Sequence, residues 1–329
     1  MKKDIYADMH NHTTASDGDF SPEQLVQKIK ALGIAVVGIT DHDTDKGLEV
    51  ALSEGDRIGV KVLPGVEISV RFKEDFFTGT LHLLCYFHPE MLKDSDFRDS
   101  LHNTLRKGRG DHLVRARVKE INKFFGQKSV IKNPTLKRDL SFEDVASYSP
   151  TVTRRHFALA LTEKHHIKNP DIVNQIIGND SPAYLPSGVD IESIKQFFES
   201  ISHAAFEQDM LSSKRKNQLK STGHLMMVLA HPAAGSFPGG GHYKEVHPPI
   251  EIVEKLLPRF IDAGIRGLEI NYPGHIQKHR EILHQWAKKY NLVMTGGSDC
   301  HDAFIRPPGV EGIKEEEFDK FMIGMRQDD

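Results

Sequence analysis

His10 and His12 lie two residues apart in Asp8-Met9-His10-Asn11-His12. Alternate side chains of an extended chain share a face, so both imidazoles can converge on one cation as the chain leaves a strand. Asp17 follows in Ser16-Asp17-Gly18, where a glycine-containing turn can bring its carboxylate back toward the same mouth. A lone His-x-His is a weak signal, but the pattern repeats along the chain. Thr40-Asp41-His42-Asp43-Thr44 follows the apolar run Ala35–Ile39, and Glu67 closes the run that reaches Pro64-Gly65-Val66. His82 is the polar residue of Leu81-His82-Leu83-Leu84-Cys85, His231 follows Leu225–Ala230, and Ser298-Asp299-Cys300-His301 follows Leu292–Gly297. Imidazole and carboxylate groups at one strand end after another are what a barrel mouth needs to assemble divalent cations.

The elements that must position these groups are seven short apolar runs, at 4–9, 35–40, 60–66, 81–87, 225–231, 266–271 and 292–297. Several are followed by helical patterns. At Ser21, an N-cap, Pro22 and Gln24 complete a capping signature, and Leu25, Ile29 and Leu32 then fall on one face. Strands alternating with helices predict parallel β/α units closing into a barrel. The alternation fails between Phe87 and Leu225, which reads as an inserted, mostly helical subdomain. The expected division is therefore 1–88 with 225–329 for the barrel and 89–224 for the insert. Within 101–138 there are eleven Lys/Arg against two Asp/Glu, which is either a solvated helix face or an attractor for a polyanionic substrate. The loop 232–249, with Pro238-Gly239-Gly240-Gly241, is longer than most connections and is either a lid or simply mobile.

The 329 residues carry 43 Lys+Arg, 46 Asp+Glu and 38% hydrophobic residues, the composition of a globular protein. No apolar run has the length of a membrane helix, and acidic residues interrupt the N-terminus before a signal-like core forms, so the expectation is a cytoplasmic protein. Two cysteines beside nineteen histidines exclude a disulfide framework and a thiolate zinc site, leaving nitrogen and oxygen donors suited to Zn, Mn or Fe. Cys300 alternates with Asp299 and His301 and is expected to point away. The His165-His166 pair, His242 and His247 read as surface residues. A pI near 6.7 without a nucleic-acid-binding signature makes long duplex DNA a poor substrate match.

In this order the motifs resemble the PHP (polymerase and histidinol phosphatase) family of metal-dependent phosphoesterases: Asp8-x-His10-x-His12, Ser16-Asp17-Gly18, Thr40-Asp41-His42, Gly65-x-Glu67, His82, Ala230-His231-Pro232 and Ser298-Asp299-x-His301. The resemblance implies an α/β fold, a distorted (β/α)₇ barrel, with two or three divalent ions. It implies one ion on His10, His12, Glu67 and Asp299, a second on Glu67, His82 and His231, and a third on Asp17, His42 and His301. Asp17 stands where some relatives have His. Asp41 and Asp43 are expected behind the ligands, orienting imidazoles.

Within the family the likeness is to the TrpH/YciV-like branch of 3′,5′-nucleotide bisphosphate phosphatases and 5′-to-3′ exoribonucleases. Arg154-Arg155-His156-Phe157-Ala158 is similar to a branch segment whose Arg and His contact phosphate, which nominates Arg154 and His156; the loop ending in His275 nominates that imidazole too. Two features depart from the branch: Ala233-Ala234 replaces a basic residue and a Tyr after His231-Pro232, and the insert is longer. The implied reaction is attack on phosphorus by a metal-bound, bridging hydroxide, with His156 or His275 as possible general acid. The substrate is then a nucleotide, a short oligonucleotide or a phosphorylated small molecule. A phosphatase of the histidinol-phosphate type and a non-catalytic PHP binding module are the competing expectations.

Overall fold

The computed structural model describes residues 4–129, 131, 134–178, 181–185, 187–211, 225–237 and 247–325, with side chains of 202–211 left aside. All seven apolar runs are strands: β1 (Ala7–Asp8), β2 (Val36–Ile39), β3 (Lys61–Glu74), β4 (Phe77–Phe87), β6 (Leu225–Leu229), β7 (Ile265–Asn271) and β8 (Val293–Gly296). A further short strand, β5 (Val189–Asp190), pairs in parallel with β3 at Val70 and Arg71. The order is β1-β2-β3-β4-β6-β7-β8. Met9 N–H donates to Gly296 O at 3.1 Å, Asp299 N–H to His10 O at 2.8 Å and His12 N–H to Cys300 O at 2.9 Å, which draws β8 onto β1 and nearly closes the barrel.

The expectation of uniformly parallel units is corrected at β4, which runs antiparallel to both β3 and β6. β3 and β4 form a long hairpin in which Glu67 lies opposite Leu84 and Ser69 opposite His82. Glu67 and His82 are thus interior positions of long strands. Side-chain alternation decides what they face. Along β4, Leu81, Leu83, Cys85 and Phe87 pack in the large core between sheet and helices, while Leu84 and Tyr86 join a second cluster inside the barrel. His82 belongs by register to the inward column, above those two residues.

The barrel is sealed at one end and polar at the other. Phe318 and Phe321 of the C-terminal helix (Glu315–Gly324) plug the interior against Leu63, Leu84, Tyr86 and Val228. Tyr86 donates to Met9 O at 2.8 Å, so its hydroxyl is satisfied in that plug. The opposite mouth holds the candidate ligands.

Among the helices, α1 (Pro22–Leu32) starts as its sequence requires: Ser21 Oγ accepts from Gln24 N–H, Gln24 Oε1 accepts from Ser21 N–H, and Pro22 occupies the first turn. Leu25, Val26 and Ile29 are buried, but Leu32 is 38% exposed, so the apolar face predicted from the sequence stops one turn short. Gly33 ends the helix at φ 77°, a left-handed conformation that favours glycine.

The helical span contributes to two cores. α3 (Ser95–Gly108) and α8 (Ile191–Leu211) send Phe97, Leu101, Leu105, Ile194 and Phe197 into the main core. α4 (Asp111–Phe125), α5 (Phe142–Ala146), α6 (Arg154–Leu159) and α7 (Pro170–Ile177) build a separate one around Ile121, Phe125, Val145, Phe157 and Ile176. Two residues of the basic run lie over rings of this second cluster: the exposed Arg115 is 3.8 Å from the Phe142 ring centre and the half-buried Arg117 is 5.4 Å from that of Phe157. No described helix is long and apolar enough to cross a membrane.

Candidate metal centre

Glu67 is the centre of the mouth. Its Oε2 has His10 Nε2 at 3.3 Å, His12 Nε2 at 3.1 Å and His42 Nδ1 at 3.1 Å. Its Oε1 has His82 Nδ1 at 2.9 Å and His231 Nε2 at 3.1 Å. One carboxylate therefore divides five imidazoles into two sets. Asp299 Oδ1 completes the first set, 3.4 Å from His10 Nε2 and 3.1 Å from His12 Nε2. A third group surrounds Asp17, whose Oδ1 is 3.3 Å from His301 Nε2 and 3.9 Å from His12 Nδ1. Donor atoms of His10, His12, Glu67 and Asp299 lie within 4.8 Å of one another, as do those of His12, Asp17, His42 and His301 and those of His42, Glu67 and His82. All nine residues nominated as ligands meet in this mouth.

The donors fit divalent cations. Glu67 Oε2, Asp17 Oδ1, His12 Nδ1 and His42 Nδ1 are buried and make no hydrogen bond among the described residues. The two imidazole nitrogens His10 Nε2 and His12 Nε2 face each other at 3.3 Å. Buried polar atoms left this way are costly unless something charged satisfies them, and an ion among them does so. The electrostatics agree. Burial works against charge on Glu67, yet His42, His82 and His10 hold its carboxyl well below the ordinary range. Burial likewise opposes charge on Asp17 and Asp299, while neighbouring imidazoles keep both carboxyls low.

The backbone is bent to serve the cluster. His231 and Asp299, at the ends of β6 and β8, have φ of 28° and 50°, conformations that non-glycine residues adopt at a cost and that concentrate at functional sites. Gly297 permits the close approach of β8 to β1, since a Cβ there would lie 2.3 Å from His10 N.

Several supporting residues escape sequence reasoning. Glu269 is fully buried; its Oε1 accepts from His10 Nδ1 at 3.0 Å and its Oε2 from His231 N–H at 2.8 Å. Its signal was a lone carboxylate inside the apolar run Gly267–Ile270, the same signal that marked His82. Tyr272 donates to Asp299 Oδ2 at 2.8 Å, and Arg306 approaches the same oxygen at 3.3 Å.

Asp41 and Asp43 do not hold imidazoles in the described contacts, a correction. Asp41 accepts from Thr13 N–H at 2.7 Å, Thr13 Oγ1 at 2.7 Å and Ser16 Oγ at 2.6 Å, fixing the turn that presents Asp17. Asp43 accepts from Ser69 N–H at 2.9 Å and from Arg109 Nε. The carboxylate of Asp41 is thus taken by the turn after His12, and that of Asp43 by Ser69 of β3 and by Arg109.

The cavity above the cluster measures about 200 Å³, and Arg109, Arg154, Arg155 and Arg306 line it beside Thr153 and Tyr272. Arg154, nominated from sequence, is at the rim. His156 and His275, nominated with it, are not among the residues that line the cavity. His156 Nδ1 accepts the N–H of Thr153 at 2.9 Å, and burial lowers its pKa to about 4. His275 Nδ1 donates to Ile270 O at 2.9 Å, its Nε2 faces Ala233 N–H at 3.4 Å, and burial lowers its pKa to about 3. Both rings are neutral and engaged with backbone. The helical segment is tied to the mouth by Thr153 Oγ1 donating to Asp17 Oδ2 at 3.0 Å and by Ser149 Oγ donating to Ser16 O at 2.9 Å.

Two further readings change. His165 is buried with Asp144 Oδ2 at 3.3 Å, while His166 is exposed. His247 is no surface residue: its ring centre is 5.2 Å from that of His82 and 5.1 Å from that of His231. His242 and the Gly-rich stretch fall outside the described residues. Cys300 is buried, with Sγ near Asp302 O at 3.8 Å and away from the cluster, as alternation requires.

The PHP domain model matches residues 8–290 of this sequence, a span that includes seven of the nine clustered residues, all except Asp299 and His301. The chain belongs to the PHP domain family. Among curated relatives of this PHP chain, the 5′-3′ exoribonuclease of Haemophilus influenzae is 25% identical over 299 residues, covering 89% of each sequence. The phosphoribosyl 1,2-cyclic phosphate 1,2-diphosphodiesterase of Eggerthella lenta is 24% identical, covering 92% of this chain and 97% of its own. The 3′,5′-nucleoside bisphosphate phosphatase of Chromobacterium violaceum is 25% identical, covering 89% and 86%. The fold is shared with a metal-dependent phosphoesterase of Bifidobacterium adolescentis at a TM-score of 0.67 and 22% identity, over 98% of this chain and 96% of that one. The PHP chain is a hydrolase acting on phosphoester bonds.

Proposed function

We propose that this PHP chain hydrolyses phosphate esters of nucleotides or short oligonucleotides with two or three divalent ions held by His10, His12, Asp17, His42, Glu67, His82, His231, Asp299 and His301. The observation that carries the reading is the Glu67 carboxylate, whose two oxygens face separate imidazole sets at 2.9 to 3.3 Å. A carboxylate placed between two imidazole sets would hold two ions side by side. Nitrogen and oxygen donors without thiolate suit Mn, Zn or Fe. Bound there, such ions supply Lewis acidity toward a phosphoryl oxygen and a water ionised near neutral pH.

The chain's own residues do the rest. Glu269 fixes His10 by its Nδ1–H, leaving Nε2 for the mouth. Tyr272 fixes one oxygen of Asp299 and leaves the other facing His10 and His12. Arg154 and Arg155 at the rim offer planar donors suited to phosphoryl oxygens, with Arg109 and Arg306 beside the cavity. Protonation of the leaving group falls to a group that lines the cavity, and His156 and His275 do not.

Two relatives named for nucleotide or RNA substrates, each covering 89% of this chain, support the nucleotide class, as does the arginine-rich rim. The test is elemental analysis followed by a phosphoester panel on the same preparation: 3′-phosphoadenosine 5′-phosphate, a 5′-phosphorylated RNA trimer, a ribose 1,2-cyclic phosphate and histidinol phosphate. Turnover of the first or second is expected. Activity confined to histidinol phosphate overturns the nucleotide assignment, and activity confined to the cyclic ester moves it to that class.

A further inference from the structure

His247 comes from the far end of the loop that begins at His231, yet its ring packs edge-on against His82 and His231, at interplanar angles of 87° and 79°. Donor nitrogens of His82, His231 and His247 lie within 4.8 Å of one another, and the Nδ1 atom of His247 is buried. His82 and His231 both reach Glu67 Oε1. We propose that His247 is an additional protein ligand of the ion held by Glu67, His82 and His231, so that this chain closes its second cation with three imidazoles and a carboxylate. The inference rests on the ligand set proposed above and adds a donor to it.

The position of His247 is built into the fold. A Cβ at Gly235 would lie 2.4 Å from His247 O and 2.3 Å from Pro248 O, so the end of the loop is seated on the chain just after His231-Pro232. Ile250 N–H donates to Ser236 Oγ at 2.9 Å, which anchors the first turn of the helix Ile250–Asp262 to the same segment. At the start of the loop, Phe237 stacks on Tyr272 with ring centres 5.7 Å apart. Both flanks of the loop are held, and the His247 backbone lies against Gly235. The donor chemistry matches as well. Zinc and its neighbours take imidazole nitrogens at about 2.0–2.1 Å, and a tetrahedral set of three imidazoles with one carboxylate oxygen is an ordinary arrangement.

The experiment compares wild type, His247→Ala, Gly235→Ala and His82→Ala, each loaded with Zn²⁺ or Co²⁺ after chelation. The measurements are ion stoichiometry, competition with a chelator, and the visible spectrum of the Co²⁺ form. His82→Ala is expected to lose the second ion. His247→Ala is expected to weaken the same ion at least ~10-fold, the lower end of what even outer partners of metal ligands contribute, and to change the Co²⁺ bands. Gly235→Ala keeps every donor but pushes the His247–Pro248 backbone outward, and is expected to weaken that ion in the same direction. Loss of the ion in His82→Ala with unchanged affinity and spectrum in both His247→Ala and Gly235→Ala overturns the added ligand and leaves the ligand set standing. Full retention of all ions in His82→Ala overturns both.

Discussion

The Oε1 atom of Glu269 lies 3.0 Å from Nδ1 of His10, and neither side chain is exposed to solvent. The same carboxylate takes the backbone N–H of His231 at 2.8 Å, so one residue of β7 holds a donor from β1 and the turn that presents another from β6. Burial opposes charge on His10, but Glu269, Glu67 and Asp299 together raise its pKa well above the ordinary value. Glu269→Gln is expected to reduce metal affinity 10- to 100-fold, roughly the range for partners of metal-bound histidines. Chelator competition measures it, and affinity within about twofold of wild type would show that Glu269 is dispensable.

Glu67→Gln removes a shared negative charge from between two imidazole sets. Both ions that depend on it are expected to be depleted together, with phosphoesterase activity falling below detection. Elemental analysis of the purified variant gives the answer; loss of a single equivalent would mean that the carboxylate serves one ion and does not bridge.

Arg154 lines the cavity without belonging to the ion clusters. Arg154→Ala is expected to retain the wild-type metal content while kcat/KM drops by ~10²-fold, a loss of roughly 3 kcal/mol of transition-state stabilisation. Metal depletion matching that of Glu67→Gln would assign Arg154 to the scaffold.

His156 gives a pH dependence of stability. Its folded pKa is lowered by burial from 6.5 to about 4, so between these values the unfolded chain takes up a proton that the folded chain does not. The folded state is therefore favoured above pH 6.5 and loses stability as pH falls toward 4, by roughly 3 kcal/mol in all at 1.36 kcal/mol per unit. His156→Phe is expected to lack this part of the slope. Denaturant midpoints at pH 7, 6, 5 and 4 compare the two proteins, and parallel curves would contradict the assignment.

The clustered side chains were legible in the sequence because a nitrogen and oxygen donor site restricts residue type severely: imidazoles and carboxylates interrupt or end the apolar runs at His82, Glu67 and His231. The strands were legible for the same reason, since a buried strand is a short apolar run bounded by turns. Roles that depend on orientation were not. His156 and His275 carry side chains able to donate a proton, yet each is engaged with backbone and absent from the cavity lining. Asp41 sits beside His42 in sequence but serves the turn at Thr13–Ser16.

By itself the sequence determined the kind of donor, the number of barrel strands and the clustering of function at the mouth, because residue type and period-two alternation are local properties. Only the tertiary structure decided that β4 runs antiparallel, that Glu67 stands between two imidazole sets, and that His247 returns to meet His82 and His231. Those facts depend on the direction in which distant segments approach one another, which is set by packing across the whole barrel and by no short stretch of chain.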